Sequence, residues 1–161
     1  MDQKQTDIRG VLIGVTGARL LLPNASVAEV ITYSLPEPVP DAPAWLYGRI
    51  RWRGWRLPLV SFARLTGLAQ QESELGAKVV VLKALGGNPR QPYFAMLTQG
   101  FPRLVTVPAH ELIEAAGDGS DPLPGVLMPV VLRDDEALIP DLATIESMIV
   151  EALNPVPSQA A

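Results

Sequence analysis

The sequence predicts a mainly β protein in which two small barrels pack together, with short helices at their ends. Three observations carry this. Short runs of alternating apolar and polar residues recur along the chain, each bounded by turn residues. Glycine (13) and proline (16) are too frequent for a helical bundle, because both interrupt helices. One construction also occurs twice. Gly48, an extended segment, a charged turn, Leu57-Pro58, Ser61 as a cap and a short helix are echoed by a second set: Gly125, an extended segment, a charged turn, Ile139-Pro140, Asp141 as a cap and a final helix. Neither half is long enough to bury a good core alone, so the two must lean on each other.

Ile8 to Leu22 reads as two strands around a turn at Thr16-Gly17, with Val11, Ile13 and Val15 alternating against Leu12, Gly14 and Thr16. Pro23 to Ile31 predicts a short helix. Ser26 is placed as its N-cap, Glu29 stands three residues later as in a capping box, and Val27, Val30 and Ile31 share one helical face. Four prolines between Ser34 and Pro43 enforce an extended loop. Trp45 to Val60 predicts a second hairpin with an apolar face and a basic rim, turning at Gly54. Ile50 and Trp52 face one way there, and Arg49, Arg51 and Arg53 the other. Ser61 caps a short helix that Gly67 ends.

Gln70 to Gly76 is a polar linker near the midpoint. Beyond it, Val79 to Leu82 reads as a buried strand, Gly86 to Pro89 as a turn and Tyr93 to Leu97 as a returning strand. Phe101 to Val107 is extended, and Pro108 opens a short helix through Glu111 to Ala115. A loop over Gly117 to Pro124 leads to a strand (Gly125 to Leu132), a turn at Arg133 to Glu136, a strand (Ala137 to Ile139) and a helix from Asp141 to about Leu153. The expected organisation is one domain over 7–153, with subdomains 7–70 and 77–153 and a tail at 154–161.

Composition narrows the chemistry. The 161 residues contain no cysteine and one histidine, which excludes disulfides, thiolate sites and multi-histidine metal centres. Net charge is −4 and the isoelectric point is about 5.0, against a general nucleic-acid binder. No signal peptide or membrane span is visible, so a cytoplasmic location is expected. His110 beside Glu111 has no partnered nucleophile in a recognisable motif, and Asp134, Asp135 and Glu136 lack the ligand spacing of a calcium loop. Gly86-Gly87 has no following Lys-Ser/Thr, so it is not a phosphate loop. The block Arg49-Ile50-Arg51-Trp52-Arg53-Gly54-Trp55-Arg56 fits a protein interface, since Trp and Arg are enriched at binding hot spots. Its alternative is a small nucleic-acid-binding barrel that stacks bases on the tryptophans.

The order Leu22-Pro23, Val27-Ala28-Glu29-Val30, a proline-rich loop, Trp45-Leu46-Tyr47-Gly48, Arg53-Gly54 and Leu57-Pro58-Leu59-Val60 resembles the CheW family of chemotaxis coupling proteins. The resemblance covers about Asp7 to Val150, and it is strongest in the first half. Among subtypes it is similar to the ChpC-type proteins of pilus-associated chemosensory systems. Three departures stand out. Arg51-Trp52-Arg53-Gly54 replaces the family's usual Asn-Leu-Arg-Gly, and Ser61 replaces a usual Asp. Phe94-Ala95-Met96-Leu97-Thr98 lacks the acid that ends a common Gly-Leu-x-Val-Asp segment.

The resemblance implies two five-stranded barrels packed together, no enzymatic activity and no cofactor. It implies an adaptor that links methyl-accepting chemoreceptors to the regulatory domain of a CheA-type histidine kinase near membrane receptor arrays. Receptor tips would bind in the groove between the barrels. The expected partner contacts are Val27, Glu29, Val30 and Ile31 on the first helix, and Trp45, Gly48, Arg51, Arg53 and Arg56 on the hairpin. Glu29 and Arg53 match family positions that often pair.

Overall fold

The first hairpin forms where the alternation places it. Strands β1 (Asp7–Val15) and β2 (Ala18–Pro23) run antiparallel, and Val15 faces Ala18 across a Thr16-Gly17 turn in which Gly17 has φ +89°. The computed structural model describes residues 7–73, 75–86, 91–114, 125–132 and 135–153. Part of the turn expected at Gly86 to Pro89, the Gly117 to Pro124 loop, the Arg133-Asp134 tip and the 154–161 tail lie outside these residues.

Two expected helices are strands entered through a single 3-10 turn. After Asn24–Ser26 the chain continues as β3 (Val27–Thr32). The helix-like spacing of Val27, Val30 and Ile31 has another cause. A bulge between Val27 and Glu29 shifts the alternation, so Val27 and Val30 pack toward one apolar cluster, while Ala28 and Ile31 pack toward another. The β-branched residues suit that strand. Pro108 likewise leads into a turn, Ala109–Glu111, and then into the short strand β9 (Leu112–Glu114). Before these come β4 (Leu46–Trp52), β5 (Trp55–Val60), α1 (Phe62–Thr66), β6 (Ala77–Lys83), β7 (Tyr93–Gln99) and β8 (Arg103–Pro108). After them come β10 (Val126–Leu132), β11 (Asp135–Pro140) and α2 (Leu142–Leu153).

The strands form two sheets, ordered β3-β6-β7-β5-β4 and β8-β1-β2-β11-β10-β9. The two orders correspond strand for strand. Each has an edge strand, an antiparallel hairpin (β6-β7 or β1-β2), one parallel junction (β7 with β5, or β2 with β11) and a second hairpin that leads into a helix. Strand β9 is the sixth member. Its counterpart is a lone bridge in which Glu37 and Arg49 exchange two N–H···O bonds of 2.8 Å along β4. Pro36 and Pro38 flank Glu37 and lack the N–H groups that would extend that bridge into a strand.

Each sheet draws on both sides of the Gln70 to Gly76 linker. The first holds the contiguous stretch β3 to β7, whereas the N-terminal hairpin β1-β2 joins the C-terminal strands. Apolar residues divide accordingly into three clusters. One fills the first barrel, with Ile50, Trp52, Leu57, Leu59, Val79, Val81, Ala95 and Leu97. A smaller one fills the second, with Leu12, Leu21, Val130 and Ala137. The largest lies between them: Ile13, Leu20 and Leu22 from β1-β2, Val80, Leu82, Phe94 and Met96 from β6-β7, and Phe62, Ile145 and Ile149 from the two helices.

Candidate partner-binding surface

The hairpin β4-β5 turns on two residues in the left-handed region, Arg53 (φ 48°) and Gly54 (φ 83°). That pair matches the twist of the flanking strands, and it sets Trp52 directly opposite Trp55. Trp52 is buried and meets the Tyr93 ring edge-on at 4.9 Å, while Trp55 is 38% exposed.

Glu29 binds this corner from β3. Its Oε1 accepts from the Trp52 indole N–H at 3.0 Å and from Arg53 Nη2 at 2.9 Å. The Arg53 guanidinium lies over the Trp52 ring at 5.1 Å. Because β3 and β4 are the two edges of their sheet, one carboxylate ties together the ends that a closed barrel must join. Further along β4, Gly48 is buried with φ +140°, and a Cβ there would stand 2.3 Å from the Glu37 carbonyl oxygen. Only glycine seats that bridge.

Beside the hairpin, the Ser61 hydroxyl accepts from the Arg64 N–H at 3.0 Å, which caps α1, and donates to Glu72. The Tyr47 hydroxyl donates to the same carboxylate at 2.5 Å, and Arg64 lies over the Tyr47 ring at 5.0 Å. Burial, helped by the hydrogen bond to Glu72, pushes the Tyr47 phenol up from 10.0 to about 12.

A groove of about 500 Å³ lies where the second sheet meets the segment after α1, lined by Gly17, Ala18 and Arg19 of the first turn, Leu68 after α1, and Pro129, Val130, Glu136, Ala137 and Leu138. On the same sheet Leu127 (59% exposed) stands at a bulge of β10, and Ile113 (60% exposed) pairs with Val131. His110 is exposed and stands 3.9 Å from Glu111. Among the described residues, no group of His, Asp and Glu is arranged to hold a metal, and no helix is long and apolar enough to cross a membrane.

A model of the CheW-like domain family matches residues 9–149. The chain belongs to the CheW-like domain family. Its structure superposes on the crystal structure of the scaffolding protein TtCheW from Thermoanaerobacter tengcongensis with a TM-score of 0.71, covering 85% of this chain and 90% of that one at 14% identity. Among curated proteins, none matches the chain. CheW-like proteins are non-enzymatic scaffolds of chemotaxis signal transduction, and this chain is one of them.

On this CheW-like frame the expected contacts separate. Arg51, Arg53 and Arg56 are exposed at the hairpin rim, and Glu29 pairs with Arg53. Val27, Val30 and Ile31 are not an exposed helical face. They are half-buried strand residues packed on the two clusters, because β3 is paired with β6. Trp45 is half-buried against the shared core, and the buried Gly48 serves the Glu37 bridge. The groove residues Leu68, Pro129 and Leu138 carry no local signal, because three separate segments make the groove. The exposure of Leu127 is equally silent within the apolar run Val126 to Leu132.

Proposed function

We propose that this chain couples a methyl-accepting chemoreceptor to the regulatory domain of a CheA-type histidine kinase, in a flagellar or type IV pilus chemosensory system beside membrane receptor arrays. The observation that carries this is the open groove where the first turn and the β10-β11 hairpin meet Leu68 of the other unit, on a sheet that also exposes Leu127 and Ile113. It offers a receptor tip an apolar floor with a polar rim, as protein interfaces do. Arg51, Arg53 and Arg56, with Glu29 fixing Arg53, form a separate contact edge on the first barrel. The functional unit is the whole stretch 7–153, because both units share one core.

The nucleic-acid alternative is disfavoured by the tryptophans. Trp52 is buried and cannot stack on a base, which leaves Trp55 alone where a stacking platform uses successive aromatic rings. Calorimetric titration of the chain with a cognate receptor tip and with the kinase regulatory domain tests the proposal. Both are expected to bind, and Leu127→Asp is expected to abolish receptor-tip binding while the fold persists. No binding of either partner to the wild-type chain contradicts it.

A further inference from the structure

We propose that the outer face of the β4-β5 hairpin is a docking site for an acidic, carboxylate-bearing segment of a partner protein. This deepens the coupling reading and rests on it, because it names the chemistry by which the hairpin edge selects a partner.

The register of the hairpin places Arg51 directly opposite Arg56, with Arg49 one row further along beside Pro58. Like charges in directly opposed positions destabilise a sheet. One carboxylate offsets this: Glu37, held by its bridge to Arg49, pairs with Arg56. Among the described residues, neither Arg49 nor Arg51 forms an ion pair, and Arg51 is exposed. The face therefore carries two unpaired guanidiniums in a chain whose net charge is −4.

Guanidinium forks match carboxylate geometry and recognise it with paired N–H···O bonds. The seated Glu37 shows that this face accepts a carboxylate from an extended segment. A carboxylate occupant is favoured over a nucleic acid because Trp52, between Arg51 and Arg53, is buried and offers no face for stacked bases. A local positive face on an acidic body also favours a short acidic segment over a long polyanion.

The test uses the full chain, a fluorescent oligoglutamate peptide and an oligothymidylate of equal charge, at low salt. Oligoglutamate is expected to bind more tightly than oligothymidylate, and its binding is expected to weaken with salt. Arg51→Glu and Arg49→Glu are each expected to lower its affinity by roughly tenfold or more, with thermal melting unchanged. No oligoglutamate binding, binding indifferent to both reversals, or tighter oligothymidylate binding overturns the proposal. Titration of the same preparation with the kinase regulatory domain and the receptor tip reports on the coupling reading separately. Loss of oligoglutamate binding while both partners still bind overturns this proposal alone.

Discussion

Glu29 holds two donors on one oxygen, and they differ in what their loss costs. The Trp52 indole N–H is in a buried ring, whereas Arg53 is 69% exposed. Removing the acceptor leaves a buried donor unsatisfied, a penalty of about 1–3 kcal/mol. An exposed ion pair contributes far less. Glu29→Ala is therefore expected to destabilise the protein by about 1–3 kcal/mol in urea unfolding. Arg53→Glu is expected to weaken partner binding while changing stability by no more than about 1 kcal/mol. An unfolded Arg53→Glu variant would make Arg53 structural and remove it from the contact edge. The Glu29-Arg53 pairing was legible through resemblance to a known family. The Trp52 bond was not, because it spans 23 residues and depends on how two sheet edges meet.

Tyr47 makes a second residue-scale case, with a pH signature. Its folded pKa, about 12, lies above the ordinary 10.0, so folding favours the protonated phenol. That contribution is fully present below pH 10 and is lost as pH rises from 10 toward 12. The stability difference between the wild type and Tyr47→Phe is expected to shrink across that window when unfolding is followed at each pH. A constant difference would remove the linkage.

At the scale of elements, the two hairpin-helix units repeat their hydrogen bonds as well as their order. Ser61 N–H donates to the Trp45 carbonyl and Asp141 N–H to the Gly125 carbonyl, both at 2.8 Å, and each cap starts its helix through Leu65 or Ile145. Asp141 Oδ1 accepts from the Thr144 N–H at 3.1 Å, the counterpart of Ser61 with Arg64. Ser61→Ala and Asp141→Ala are each expected to cost about 1 kcal/mol in denaturant unfolding. The Ser61 loss should be the larger, because that buried hydroxyl also serves Glu72. Both caps were legible in sequence because capping is local chemistry. The two supposed helices at Val27 and Glu111 were misread for the opposite reason. A bulge imitates helical spacing, and pairing with a distant strand decides the outcome.

For the whole molecule, the doubled architecture could be read from the two hairpins that lead into the capped helices at Ser61 and Asp141, although the register matches Gly125 to Trp45 and Gly48 to Met128; the exchange of strands could not be read. No local pattern tells the first hairpin to leave β3 and join β8 and β11. That exchange places Ile13, Leu20 and Leu22 in the shared core and brings the Thr16-Gly17 turn to the groove beside Leu68. The shared core that stabilises the molecule thus borders this groove, through Ala18, Leu68 and Leu138. Amide hydrogen exchange of the chain, with and without a cognate receptor tip, tests this groove as the docking site most directly. The account predicts new protection at Gly17 to Arg19 and across Leu127 to Val131, while the backbone of β6 is unchanged. Receptor-dependent protection that spares both groove segments would contradict it.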